Sequence, residues 1–346
     1  MLRVLVVEDS STARRLLVAV LGADPAIEVV GEACDGVEGV SLCKKLRPDL
    51  VTMDIQMPNM DGVEATRQIM IQSATPIVMV SSLDPSDVRR SMHALNAGAL
   101  AVLAKPAGPG SPRFERDTKE LLSTVKAMAQ VKLVRRWPTS PSPSVVSAPT
   151  AASPGHRIVV VGIVASTGGP NALRSVLAGL PADFEPPILI VQHIAAGFAQ
   201  GFAEWLASAT GRRVELASDG TRLTPNVTYV APDDRHLELV NDRIVVSSTA
   251  PVDGFRPSGT SLFRSLAALG NRAIGVILTG MGQDGVAGLR EMRDAGAAVF
   301  AQDEATSDIF GMPGAALKAG LVTAGTPLPE IPLQVTAMVR RESSGG

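Results

Sequence analysis

The chain has 346 residues, 45% of them hydrophobic and only 3% aromatic, and its formal net charge is −2. At roughly 150 residues per domain this predicts about two domains, with cores built from Val, Leu, Ile, Ala and Met. Disorder throughout is excluded, and the near-neutral balance argues against a nucleic-acid or anionic-membrane surface as the main business; direct membrane insertion is not expected either. No apolar run approaches the roughly 18 residues of a spanning helix, and Met1 leads straight into a strand pattern, so neither a span nor a signal peptide is expected. Cys34 and Cys43 are too few for a disulfide framework and are expected as free, inert thiols in a reducing cytoplasm.

LRVLVVED opens the chain as a buried-type strand ending in two acids, Glu8 and Asp9. A helix follows, with Ser10 or Ser11 able to cap it and Leu16, Leu17, Val20 and Leu21 on one face. IEVVGEA and GVEGVSLCKKL repeat the pair. DLVTMDIQMP then places Asp54 at a strand's carboxyl end, and DGVEATRQIM is helix again. PIVMVSS ends at Ser81, DVRRSMHALNAG is a helix closed by Gly98, and ALAVLAKP delivers Lys105. Five alternations predict a doubly wound, five-stranded parallel sheet over residues 1–106.

From Ala107 to His156 the texture changes. A helix is expected around Glu115–Arg136, followed by WPTSPSPSVVSAPTAASPGH, whose Pro, Ser and Ala content reads as an extended tether. The second unit, residues 157–340, begins with RIVVVGIVASTGGP, a strand buried on both faces that breaks at a Gly-Gly turn into an amphipathic helix. PPILIVQH and the helix FAQGFAEWLAS come next. VELA, VTYVAP, HLELV and RIVVSS are short strands between turn signals, expected as an antiparallel addition. SLFRSLAALG, AIGVILTG, VAGLREMRDAG, AAVFAQDE and a helix around Gly314–Gly320 complete a second doubly wound α/β domain, and the tail RRESSGG is expected to fray.

Glu8, Asp9, Asp54, Ser81 and Lys105 all fall at or beside strand carboxyl ends. Any one of them alone reads as a solvated loop residue. Five in phase are better explained as a site, in which clustered carboxylates hold Mg²⁺, one accepts a phosphoryl group, and Lys105 neutralises the incoming charge. In the second unit Ser166, His193 and Asp284 are likewise strand-end residues, of the types needed for a nucleophile–base–orienter relay. Thr167, the Gly168-Gly169 amides and Gly280-Met281-Gly282 offer donors for an oxyanion. A serine before Gly-Gly is also an ordinary turn residue, and a strand-end histidine is often structural. A dinucleotide site is disfavoured because GIVASTGG does not match GxGxxG. On chemistry alone a Ser-His-Asp hydrolase and a small-molecule-binding domain stand level.

Residues 1–106 resemble a response-regulator receiver domain, with VVEDS, MDIQMPNMDG and AKP as the matching motifs. The resemblance implies a flavodoxin-like fold in which Asp54 accepts the phosphoryl group of a histidine-kinase phosphodonor. It also implies that Asp9, Asp54 and the Gln56 carbonyl ligate Mg²⁺, with Glu8 behind them, and that Ser81 and Lys105 read the phosphate. Val102 stands where many receivers carry an aromatic switch residue. Residues 157–340 resemble the catalytic domain of the chemotaxis protein-glutamate methylesterases (the CheB family) through ASTGGP, VQHIAAGF, YVAPDDRHLEL, ILTGMGQDG and AQDEATSDIFGMP.

That second resemblance implies hydrolysis of γ-glutamyl methyl esters on methyl-accepting chemoreceptors and, in many members, deamidation of receptor glutamines, with no cofactor in the catalytic domain. Ser166 is then the nucleophile, His193 the base and Asp284 the orienter, with the Met281 amide on the oxyanion and Thr167 beside it. QHIA replaces the family's QHMP, and RPSGTSLF replaces RPSVDVLF. The unphosphorylated receiver is expected to cover the Ser166 edge, and the 137–156 tether to let the domains part. The rival expectation is a response regulator whose second half only binds a partner or ligand. A DNA-binding output is not expected, because that half is neither basic nor helix-turn-helix.

Overall fold

The computed structural model describes residues 1–82, 84–131 and 158–343, without the side chains of residues 85–89 and 341–343. The expected 137–156 tether and the end of the tail, 344–346, lie outside the described residues. Buried β-branched runs and capped amphipathic segments alternate as their periodicities require. In the first unit they are β1 (Leu2–Val7), α1 (Ser11–Gly22), β2 (Ile27–Ala33), α2 (Gly36–Leu46), β3 (Leu50–Met53), α3 (Gly62–Ser73), β4 (Ile77–Ser81), α4 (Pro85–Ala97), β5 (Ala101–Ala104) and α5 (Phe114–Met128). The carboxylates of Asp35 and Asp61 start α2 and α3 by accepting, at 2.8 Å, the amides of Glu38 and Glu64. The sheet runs β2-β1-β3-β4-β5, all parallel, as a flavodoxin-like fold requires.

The second unit comprises β6 (Val160–Ala165), α6 (Gly169–Gly179), β7 (Ile188–Gln192), α7 (Ala199–Thr210), β8 (Arg213–Leu216), β9 (Val227–Val230), β10 (His236–Val240) and β11 (Arg243–Ser247). It continues with α8 (Gly259–Ala267), β12 (Ala273–Ile277), α9 (Val286–Asp294), β13 (Ala298–Ala301), α10 (Met312–Lys318) and α11 (Ile331–Ser343). Its six-stranded sheet, β13-β12-β6-β7-β9-β8, is parallel throughout. The chain leaves β6 in one direction and later returns to its other side as β12, so the order reverses beside β6. Such reversals open a crevice at the carboxyl ends of the strands.

Three local expectations are corrected. Only β10 and β11 form an antiparallel hairpin, turned at Asn241 and Asp242 with φ of 49° and 62°. β8 and β9 join the parallel sheet instead, because all four residues of β9 are buried and need neighbours on both sides. The helix expected to Arg136 ends at Met128, with Ala129 to Val131 outside it and residues 132–136 outside the described set. The chain's end also carries an unexpected helix, α11, which buries Ile331 and Val335 against the core and packs on α6.

Helix α5 lies in the segment expected to connect the domains, yet it packs Leu121, Val125 and Met128 into the apolar cluster of Val4, Val6, Val78 and Val80. Another side of α5 faces the second unit. Phe114, Leu122 and Ala127 share a cleft with Met281 and Ile309. Helix α4 packs along α7 and touches α6, and Arg174 donates to the Asn96 side-chain oxygen at 2.7 Å. Beneath the second sheet, α8 and α9 approach so closely that a Cβ on Gly288 would lie 2.4 Å from the Thr260 carbonyl oxygen. Phe263 is fully buried at that junction, against Gly162 of β6. Phe263→Ala is therefore expected to cost about 3–5 kcal/mol, read as an earlier denaturant midpoint of the second domain.

Candidate functional site

The first cluster assembles as the strand ends dictate. Glu8 and Asp54 are buried and Asp9 exposed, and a ligand atom from each lies within 4.8 Å of the others. Lys105 Nζ lies 2.9 Å from both Glu8 oxygens, donating to Oε1, and 3.0 Å from Asp54 Oδ2. Burial and the charge of Asp54 push the Glu8 carboxyl up to about 7 against the pull of Lys105. Burial likewise raises Asp54, with the Lys105 ammonium opposing it. Burial draws Lys105 down, but its hydrogen bond to Glu8 and the two nearby carboxylates win and raise it.

Carboxylates held together at such a cost call for more positive charge than one ammonium, and all donors are hard oxygens, so the set fits Mg²⁺. Ser81 is fully buried and its hydroxyl has no hydrogen-bond partner. Gln56 is exposed just past β3, and Val102 is buried in β5.

The second cluster forms at the reversal point. Ala165 and Gln192 are register partners on β6 and β7, so Ser166 and His193 are the next residues on adjacent strands. The His193 amide donates to the Ala165 carbonyl at 3.0 Å, and the Ser166 amide to the Thr279 carbonyl beyond β12, also at 3.0 Å. Asp284 reaches the same edge from the loop before α9. His193 Nε2–H donates to Asp284 Oδ2 at 2.9 Å, while His193 Nδ1 is buried with no hydrogen-bond partner. An acceptor carboxylate at Nε2 leaves the lone pair on Nδ1, the nitrogen available to a serine hydroxyl.

Asp284 itself is set on the amino terminus of α8. Its Oδ1 accepts from Ser258 Oγ at 2.7 Å and from the Thr260 amide at 3.1 Å, and its Oδ2 accepts the Gly259 amide at 2.6 Å. Burial alone pushes this carboxyl up, but the hydrogen bonds and charge of His193, then Ser258 and Gly259, outweigh it and hold it at about 2. Asp284 is thus an anion at every physiological pH.

The expected oxyanion donors divide. The Gly169 amide is spent on the Ser166 carbonyl, closing the turn, and the Gly280 amide on the Ile309 carbonyl, in a parallel bridge between Gly280 and Phe310. Among the described residues the amides of Thr167 and Met281 make no hydrogen bond, and Met281 stands exposed at the rim. Gly168 sits at φ 78°, and a Cβ on Gly169 would meet Gln192 Oε1 at 2.0 Å, so the turn after Ser166 needs both glycines.

Several participants escaped the sequence reading. Gln192 Nε2 donates to the Ser166 carbonyl at 2.8 Å and the Thr279 hydroxyl to the Thr167 carbonyl at 3.0 Å, pinning the turn from both sides. The buried His236 accepts the Ser258 amide on Nδ1 at 3.3 Å. Phe255 stacks on His193 with ring centroids 4.3 Å apart and planes 9° apart. The serine ahead of SLFRSLAALG could be read as a helix cap, but nothing local tells which carboxylate it meets.

A family model described as CheB methylesterase matches residues 161–335, and one described as response regulator receiver domain matches residues 4–111. The chain is 54% identical over 349 residues to the protein-glutamate methylesterase/protein-glutamine glutaminase 4 of Myxococcus xanthus (strain DK1622), covering 100% of this chain and 98% of the relative. It is 56% identical over 329 residues to the similarly named protein 3 of Anaeromyxobacter dehalogenans (strain 2CP-C), covering 94% and 95%. Among solved structures, the methylesterase catalytic domain of Thermotoga maritima CheB is 31% identical and covers 55% of this chain and 100% of its own, with a TM-score of 0.49.

The Asp284 geometry has a measurable signature. A carboxyl depressed from about 4 to about 2 contributes on the order of 2 kcal/mol, fully present above the unfolded value and lost as pH falls through the folded one. Asp284→Asn should therefore be less stable than the parent at neutral pH, and the gap in denaturant midpoint should narrow between about pH 4 and pH 2.

Proposed function

Because the chain belongs to the CheB methylesterase family, with a response regulator receiver domain ahead of its catalytic domain, we propose that it hydrolyses glutamate γ-methyl esters on methyl-accepting chemoreceptors, deamidates receptor glutamines, and does both under control of phosphorylation at Asp54. The observation that carries this reading is the convergence of Ser166, His193 and an ionised Asp284 on one crevice. Ser166 Oγ attacks the ester carbonyl as His193 Nδ1 takes its proton, and the amides of Met281 and Thr167 receive the oxyanion. Collapse expels methanol, or ammonia from an amide, which carries away the proton held by His193. Water, deprotonated by His193, then cleaves the acyl-serine and leaves glutamate. A domain that only bound a partner would need no buried carboxylate locked on an imidazole.

In this reading residues 1–106 are the receiver, 107–156 the connecting helix and tether, and 157–340 the catalytic domain. Asp9, Asp54 and the Gln56 carbonyl would hold Mg²⁺ with Glu8 behind them, and the ion would offset the charge of the incoming phosphoryl group. Asp54 accepts that group from a histidine-kinase phosphodonor, with Lys105 and the unpartnered Ser81 hydroxyl as its readers. The two helices that meet the catalytic domain, α4 along α7 and α5 beside Met281 and Ile309, are placed to restrict the rim until phosphorylation loosens them. The cytoplasm, with its kinases and the receptors' methylated segments, is the compartment this chemistry requires.

Ser166→Ala is expected to reduce release of methanol and ammonia from methylated receptor by about 10⁴-fold or more while its thermal transition stays unchanged. Retained release would end the proposal. A 150–346 fragment should outperform the unphosphorylated whole chain, and Asp54→Ala should abolish stimulation by a phosphodonor. Equal activity of fragment and whole would remove the gating and leave the hydrolase.

A further inference from the structure

The loop between β11 and α8 is built to a degree that a mere connection does not need. Phe255 and Val252 exchange amide–carbonyl bonds of 2.9 and 3.1 Å across Asp253-Gly254, whose φ values of 51° and 85° make a tight two-residue turn. The next side chain, Arg256, donates to Asp234 Oδ1 at 2.9 Å and to the carbonyls of Ser248 and Thr249 at 3.1 and 3.0 Å. The buried His236 ties both ends of the loop, donating to the Ala250 carbonyl at 3.1 Å and accepting the Ser258 amide. The loop thereby presents two things to one target. Its far end supplies the Ser258, Gly259 and Thr260 donors that hold Asp284, and its turn lays the Phe255 ring flat on His193.

We infer that Phe255 is a positioning residue for His193, fixing the plane of the imidazole so that Nε2 stays on Asp284 and the unpartnered Nδ1 is kept available to the Ser166 hydroxyl. The inference rests on the hydrolase reading above and adds to it a residue outside the relay. One hydrogen bond at Nε2 leaves the ring free to tilt about its side-chain bonds, since Nδ1 has no partner to restrain it. A nearly parallel phenyl at stacking distance removes that freedom and keeps water off one face. Its π-face also favours the imidazolium that forms as Ser166 attacks. None of this requires contact with the substrate, so the effect belongs in turnover rather than in binding.

The experiment compares Phe255→Leu, Phe255→Tyr and Phe255→Trp in the 150–346 fragment and in the phosphorylated whole chain. Phe255→Leu is expected to lower kcat for methanol release by about 10- to 100-fold with KM changed less than about twofold, because a misoriented base costs rate and not affinity. The two aromatic variants should recover most of it. In a His193→Gln background Phe255→Leu should cause no further loss, the non-additivity expected of a residue that acts through another.

A rise in KM at unchanged kcat would make Phe255 a wall of the substrate groove and overturn the inference. So would additive loss in the double variant. A readout independent of esterase activity is acylation of His193 by diethyl pyrocarbonate, followed by mass spectrometry. The rate should rise several-fold in Phe255→Leu and not in Phe255→Tyr, and an unchanged rate refutes the positioning role even if the parent hydrolyses nothing. Failure of the hydrolase reading shows separately, as methanol release by Ser166→Ala equal to that of the parent.

Discussion

A carboxylate stripped of water persists as an anion only where fixed donors replace the water, and Asp284 is held in that condition by four of them. Ser258 Oγ, the Gly259 and Thr260 amides and His193 Nε2 share its two oxygens. The two amides belong to the first turn of α8, where unpaired N–H groups and the helix dipole favour negative charge. Everything chemical at this edge follows from that one charge. It accepts the hydrogen bond of Nε2–H, so the lone pair of the ring lies on Nδ1, and it anchors the loop whose turn carries Phe255. It also ties α8 to the loop after β12, across the junction where Phe263 and Gly288 fill the space beneath the sheet.

The crevice exists because of strand order. β6 lies between β7 and β12, and the chain reaches those neighbours by crossovers on opposite sides. Their carboxyl ends therefore converge without any loop having to span the gap. Ser166 and His193 each follow directly on a strand, whereas Asp284 arrives seven residues after Ile277. That longer excursion is what the α8 donors must fix in place. The turn after Ser166 is fixed by different means, through Gln192 and Thr279 side chains donating to its carbonyls, while the Gly169 and Gly280 amides are spent elsewhere on the backbone and those of Thr167 and Met281 make no hydrogen bond among the described residues.

The carboxylate cluster at the strand ends of the first unit shows the opposite electrostatic design. There the buried carboxylates are raised by burial, Glu8 also by the charge of Asp54 and Asp54 by that of Asp9, with one ammonium bound to both Glu8 and Asp54. A group so placed responds strongly to added charge, whether a cation or a phosphoryl group. Asp284 is thus held by four donors that leave its charge intact, whereas Glu8 and Asp54 share a single ammonium against their burial. The helices α4 and α5 join the two regimes, one along α7 and the other beside the Met281 rim.

The sequence by itself determined the alternation of strands and helices in both units. Its apolar, β-branched runs and capped amphipathic segments are local patterns that need no partner to be read. It determined, too, that Glu8, Asp9, Asp54, Ser81 and Lys105, and separately Ser166, His193 and the approach to Asp284, fall at strand ends. Only tertiary structure decided that β8 and β9 join the parallel sheet, since pairing depends on burial against distant neighbours and short strands carry no mark of direction. The length of α5 and the presence of α11 were settled the same way, by the apolar surfaces on which they pack. Which ring nitrogen of His193 is free, which turn amides are spent, and that Phe255 covers the imidazole depend on contacts between residues as much as 91 positions apart. Residue type and local spacing carry no information about those distances. Long-range hydrogen bonds supply it, and they exist only once the sheet has closed.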